Sequence, residues 1–224
     1  MTTPLHRPSR PGFTLIELLV VIAIISVLAA MVIPVGTQLK IKASIKQAQT
    51  QMEQISTWIE SYGTKRSHYP PENPTDPGPA DNPAIMPRPP LVYELTGAEL
   101  TAAGYRTDRG VTFNMPQLTA AFGIRLISNS TVPGSNPDDS PKKQNFAPEL
   151  GPGAVASLAV NGVPFPVEVL ASKIRGPAGF TNVWHYSTGR PGNHNPNSFD
   201  LWLDVVLGGK TNRICNWSSK PIKL

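Results

Sequence analysis

The sequence predicts an α+β protein, with a long N-terminal α-helix packed on a small C-terminal antiparallel β-sheet. Three observations predict it. Residues 13–33 form an apolar run with one charge, apolar residues from Ile41 to Tyr62 recur at helical spacing, and short strand-like segments fill the last third of the chain. The chain has 224 residues, of which 25 are Pro and 18 are Gly, so regular structure is confined to part of it. Only 16% of residues are charged, against about 25% in an ordinary soluble domain. The single cysteine, Cys215, excludes an internal disulfide framework and any multi-cysteine metal site. The net charge of +5 is spread over short basic blocks (Lys40, Lys42, Lys46; Lys65-Arg66; Lys142-Lys143), which gives no support for nucleic-acid binding.

The apolar run, FTLIELLVVIAIISVLAAMVI, contains Glu17 as its one charged residue. At about 1.5 Å per residue it spans about 31 Å, matching the hydrocarbon core of a bilayer, so residues 13–33 are expected to be a transmembrane helix. A removable signal peptide would have a shorter apolar region followed by a small-residue cleavage site. Here the run is longer and passes through Pro34 into an amphipathic pattern. Arg7 and Arg10 lie before the run and Lys40, Lys42 and Lys46 lie beyond it, so charge does not orient the span. The leader of 12 residues is too short for a domain, which makes the bulk of the chain the translocated part.

Glu17 is the most informative residue. A carboxylate a turn inside the membrane costs about 2.5–3.5 kcal/mol on insertion scales, so such a residue usually has a partner. Were the chain cut between Gly12 and Phe13, Phe13 would carry an α-ammonium group four residues from Glu17 on the same helix face. The carboxylate could pair with its own amine or with that of a neighbouring helix. Pairing between subunits would favour axial registry, since an offset leaves a charge unpaired in lipid.

The string Gly12-Phe13-Thr14-Leu15-Ile16-Glu17-Leu18-Leu19-Val20-Val21-Ile22, after a short basic leader, resembles the start of type IV prepilins and type II secretion pseudopilins. The resemblance implies that a prepilin peptidase cuts after Gly12 and methylates the amine of Phe13. It implies that Glu17 is the assembly glutamate, neutralising the amino terminus of an adjacent subunit. Pro34 matches the family's helix-breaking proline, where helix can melt in the assembled fibre; proline removes a backbone hydrogen bond and clashes with the preceding turn. The implied fold is pilin-like. The implied partners are the peptidase, copies of the chain and other pseudopilins, and an inner-membrane assembly platform. The implied location is a single-pass inner-membrane protein with its C-terminal domain in the periplasm.

Beyond the membrane segment, Ile41, Ile45, Ala48, Met52, Ile55, Ile59 and Tyr62 form one apolar stripe, predicting an amphipathic helix that ends at Gly63. The stripe is expected to pack on the protein's own sheet. Ala23, Ser26 and Ala30 line one flank of the membrane half and permit close helix approach. Residues 70–90 hold nine prolines in 21 positions, which predicts an extended loop. Residues 91–97 read as a short helical turn or strand, and residues 117–127 as one short element. Strands are expected at 154–160 and 163–170, as a hairpin about Asn161-Gly162 with Pro164 and Pro166 pushing its second strand to an edge. Further strands are expected at 182–187, at 199–206 with Phe199, Leu201, Leu203 and Val205 inward, and at 212–217. The organisation is a cleaved leader (1–12), an assembly helix (13–33), its amphipathic continuation (34–62), a Pro-rich loop (63–90) and a small α+β periplasmic domain (91–224).

Phe199-Asp200-Leu201-Trp202, a Gly208-Gly209 turn and Ile214-Cys215-Asn216-Trp217 resemble the C-terminal end of major pseudopilins. That family's calcium loop lies there, but Leu207-Gly208-Gly209-Lys210 stands where an aspartate would be expected. Asp200 and Asp204 remain as weak calcium candidates, expected to be solvated on the outward face of one strand. His185, His194, Asp200 and the isolated His68 lack the spacing of a zinc site. Ser187, His185 and Asp200 form at most a notional triad, and no nucleophile elbow, phosphate loop or dinucleotide fingerprint occurs. Cys215 reads as a buried small hydrophobe, and Trp184, Trp202, Trp217 and Tyr186 as core. Nothing in the sequence argues for an enzyme. The expected function is that of a filament subunit, with a single-pass membrane-anchored binding module or enzyme as the alternative.

Overall fold

The computed structural model describes residues 13–74, 89–131, 142–151, 153–176 and 181–224, and at 30–37 and 175 only the backbone. The leader, most of the Pro-rich loop and part of the 131–148 loop therefore lie outside the described residues. The chain divides into two compact units, one through Ala43 and one from Ser44 to Leu224. The fold is α+β, a long N-terminal helix followed by a domain rich in antiparallel sheet.

Among the described residues, helix α1 (Leu15–Arg66) supplies the regular structure of the first unit and opens the second. Its backbone stays helical across residue 34, so no break occurs there in the single chain. In the second unit the predicted stripe is the buried face: Ala48, Ile55, Ile59 and Tyr62 are buried, joined by Trp58 and Gln51. The helix does not stop at Gly63 but continues to Arg66, and the chain turns at Ser67 with φ 61°. Gly63 serves a different need. A Cβ there would stand 3.0 Å from the Tyr69 ring, which folds back onto the last turn.

Helix α2 (Leu91–Thr96) is buried at every residue. Strands β1 (Ala98–Thr101), β2 (Gly104–Thr107), β3 (Thr112–Phe113) and β4 (Ser130–Thr131) form a sheet in the order β3-β2-β1-β4, with β4 parallel to β1. Helix α3 (Met115–Phe122) starts with a capping box in which Asn114 and Gln117 exchange side-chain and backbone hydrogen bonds of 2.9 Å. It ends at Gly123 in the left-handed conformation, where a Cβ would lie 2.7 Å from Asn73 Oδ1.

The expected single sheet in the last third is two sheets. Strands β5 (Val155–Leu158), β6 (Val167–Arg175) and β7 (Thr181–Val183) are ordered β5-β6-β7. Strands β8 (His185–Thr188), β9 (Phe199–Leu207), β10 (Lys210–Cys215) and β11 (Ile222–Lys223) are ordered β11-β10-β9-β8. The predicted strand at 182–187 is thus divided at Trp184 between two sheets. Asn161-Gly162 does not make a two-residue hairpin: Leu158 pairs with Val167, leaving a longer loop that contains Pro164 and Pro166. The prolines lie before β6, which is free of them and is the central strand. A residue without an N–H is tolerated in that loop and not in a ladder bonded on both sides. In β9, Phe199, Leu201, Leu203 and Val205 are buried as expected.

One polar group sits at the centre of this packing. Glu94 is 0% exposed, and its carboxylate accepts hydrogen bonds from Ser128 N (2.7 Å), Asn129 N (3.0 Å) and Tyr62 Oη (3.0 Å). Burial pushes the carboxyl above its ordinary range, against the three donors, which favour the charged form. Asn129 returns a bond from Nδ2 to Glu94 O (2.7 Å) and bonds Gln144 on both sides, while Arg66 bonds its Oδ1. Glu94→Ala would leave three donors unpaired in the interior. Thermal denaturation is expected to show a loss of ~3 kcal/mol or more, with Tyr62→Phe costing ~1 kcal/mol.

Candidate functional site

At the start of α1, Thr14 and Glu17 form a reciprocal cap. The Glu17 Oε2 accepts from Thr14 N (2.9 Å) and from Thr14 Oγ1 (2.7 Å), and Glu17 N donates back to Thr14 Oγ1 (3.3 Å). The spacing Thr14-x-x-Glu17 is that of a capping box, in which a hydroxyl and an acid satisfy helix donors that have no partner in the first turn. Glu17 stands out in the sequence by its charge, whereas the role of Thr14 is marked only by the T-x-x-E spacing. Gly12, the other half of the expected cleavage site, lies outside the described residues.

Among the described residues, the helix beyond this cap is apolar and exposed. Phe13 is 79% exposed, and Leu15, Ile16, Leu18, Leu19, Val20, Val21, Ile22, Ile24, Ile25, Val27 and Leu28 are all exposed. Ser26 turns its hydroxyl onto Ile22 O at 2.7 Å, so its polar atom is satisfied within the helix. Among the described residues no helix is long and apolar enough to cross a membrane. The predicted span 13–33 is described with its side chains only as far as residue 29, short of the about 18–20 apolar residues that a span requires.

The C-terminal candidates are arranged differently from expectation. Asp200 is not solvated but 4% exposed. Its Oδ2 accepts from His194 N (2.7 Å) and lies 3.2 Å from His194 Nδ1, and its Oδ1 accepts from Asn195 N (2.9 Å). The residue is buried because the 189–198 loop folds over the strand and offers it backbone donors. Asp204 is held by Arg213 through two bonds, Nε to Oδ1 (2.8 Å) and Nη2 to Oδ2 (2.7 Å). The two carboxylates thus have separate partners. Among the described residues no group of three or more His, Cys, Asp or Glu is placed to hold a metal.

The notional triad is not assembled. Ser187 faces Asp200 across the β8–β9 ladder, but its hydroxyl lies 3.0 Å from both Glu72 Oε2 and Asn193 Oδ1. His185 pairs in register with Trp202 and hydrogen-bonds neither residue. His68 packs edge-on against Tyr62 at 5.7 Å. Cys215, Trp184, Trp202 and Tyr186 are buried, whereas Trp217 is half-buried beneath His194.

The strongest site is therefore the capped, apolar helix start. Residues 7–33 match the family described as the prokaryotic N-terminal methylation motif. The chain carries a prepilin-type N-terminus. That motif contains Gly12, Phe13, Thr14, Glu17 and the exposed apolar residues from Leu15 to Leu28. No curated protein and no solved structure matches the chain. Thr14→Val would remove the cap hydroxyl at a cost of ~1 kcal/mol. Amide exchange of residues 15–18 in detergent micelles is expected to quicken by roughly fivefold, with the second unit unchanged.

Proposed function

We propose that the protein is a structural subunit of a type II secretion pseudopilus or a related type IV filament, stored in the inner membrane and processed by a prepilin peptidase between Gly12 and Phe13. The observation that carries this reading is the methylation motif lying on an apolar helix whose side chains from Leu15 to Leu28 are exposed among the described residues. A surface of that kind is stable only in lipid or against other helices. Storage in the bilayer and packing in a filament shaft meet the same requirement in turn.

Cleavage places the Phe13 amine next to a carboxylate that is already positioned by Thr14. Each Glu17 oxygen has two lone-pair directions, so an incoming ammonium group can be accepted without releasing the cap. A subunit displaced along the axis would leave both charges unmatched in an apolar shaft, and this penalty supplies the registry. Pro34 contributes the place where the helix can yield once the fibre forms. The tail's likeness to major pseudopilins supports the secretion branch over adhesive pili. Calcium at the Asp200 and Asp204 strand remains the weaker part of that likeness, because each carboxylate has its own donors or cation.

Intact-mass analysis tests the reading directly. The mature protein is expected to begin at Phe13 and to carry one added methyl group; an N-terminus at Met1 would instead favour a membrane-anchored binding module or enzyme. Glu17→Gln separates the two roles of the acid, since the amide oxygen still accepts from Thr14 but carries no charge. Filament yield in sheared fractions is expected to fall at least tenfold with membrane insertion intact. Filaments at wild-type yield would exclude the ion-pair mechanism.

A further inference from the structure

Strand β5 is the outer strand of the sheet β5-β6-β7. Ala171 N donates to Ala154 O at 2.9 Å, and in the same register Val155 stands opposite Leu170 and Ser157 opposite Glu168. Bonded and non-bonded pairs alternate along an antiparallel ladder. Ala154, Ala156 and Leu158 therefore bond β6, while the N–H and C=O of Val155 and Ser157 point away from it. The far side of β6 keeps the same alternation, since Glu168 N donates to Tyr93 Oη at 2.9 Å and Trp184 N to Leu170 O at 2.9 Å. Among the described residues, the four outward backbone groups of Val155 and Ser157 have no partner, and Ser157 is exposed.

Sheet edges are ordinarily guarded by shortness, charge, proline or a covering segment. The other edges among the described residues have such guards. Strands β3, β4 and β11 are two residues long and β7 is three. Strand β11 also follows Pro221 and carries Lys223, and at the end of β8 Thr188 N is taken by Glu72. Strand β5 has four residues, no charged side chain occurs anywhere in 151–167, and no proline occurs in 153–163.

We propose that the β5 edge is a self-association site, at which β5 of a second copy of this chain adds antiparallel to β5 and joins the two three-stranded sheets. Val155 of each copy lies opposite Ser157 of the other, so all four outward groups of each strand are bonded at once. The two Ala156 residues meet at the centre as a non-bonded pair, where strands approach most closely and the smallest side chain fits. Identical strands repel each other when charges face directly across the pair, and this stretch has none to place there. A pair of this kind is isologous and closes at two copies. It therefore stands apart from the filament reading, whose contacts run along the apolar helix.

The test is cross-linking of the full chain in detergent micelles with a short bismaleimide. The wild-type protein, whose Cys215 is buried, supplies the background. Ser157→Cys is expected to give dimer above that background, because the diagonal offset of two residues leaves the two Cα atoms about 8 Å apart. Lys210→Cys, exposed at the start of β10, is expected to stay at background and reports copies that merely share a micelle. Val155→Pro, placed in the Ser157→Cys protein, removes an N–H that faces away from β6, so β5 keeps its own ladder and the dimer is expected to be lost. Ser157→Cys reacting no faster than Lys210→Cys, or an undiminished dimer in a folded Val155→Pro protein, would overturn the proposal. Should the proline variant fail to fold, the comparison of Ser157→Cys with Lys210→Cys decides alone.

Discussion

The second unit depends on one buried carboxylate. Glu94 lies where the end of α1, the short helix α2 and the approach to β4 converge, and each contributes or receives a bond through it or through its neighbour Asn129. A carboxyl in such a place is tolerated only because three donors converge on it, and they converge only if Tyr62, Ser128 and Asn129 occupy their native positions. Apolar contacts alone would let α2 slide against α1. Ala98 N bonds Asn129 O at 3.0 Å and Phe146 N bonds Leu95 O at 2.8 Å, so the strands and the 142–150 segment inherit their placement from the same node.

A second anchoring point holds the beginning of the Pro-rich segment to the β8–β11 sheet. Tyr186 donates to Pro70 O at 2.9 Å, and Glu72 accepts from Thr188 N at 3.0 Å while forming an ion pair with Arg190. Prolines cannot hold a segment in place through their own nitrogens. Carbonyl acceptors and a single acid do so instead, which is how a chain stretch with no ladder of its own becomes part of the structure.

The legible parts of the sequence were those with a strong local rule. A stripe at helical spacing predicted the buried face of α1 through Tyr62, and alternation predicted the inward residues of β9. The rule failed at Gly63, where the glycine answers to the Tyr69 ring rather than to a helix end. It failed at Asn161-Gly162 because a tight turn there would carry Pro164 and Pro166 into the ladder. Asp200 was misjudged because alternation reports which side of a strand a residue faces but not whether a loop returns to cover that side. The parallel β1–β4 pairing and the Glu94 node were unreadable, since their partners are 15 to 35 residues apart with no periodicity between them. At the candidate site, Glu17 was conspicuous as a lone charge, while Thr14 escaped notice because its role is geometric.

The sequence by itself determined that residues 7–33 carry a prepilin-type methylation motif on an apolar stretch with one acid, because composition and spacing within a few turns are enough to specify these. It also determined that a sheet-rich domain follows. Only the tertiary structure decided how Thr14 holds Glu17, how the strands divide into separate sheets, and which polar groups are buried. Those outcomes rest on donors and acceptors that meet through space, and desolvation makes each meeting close to obligatory once the surrounding apolar surface has packed.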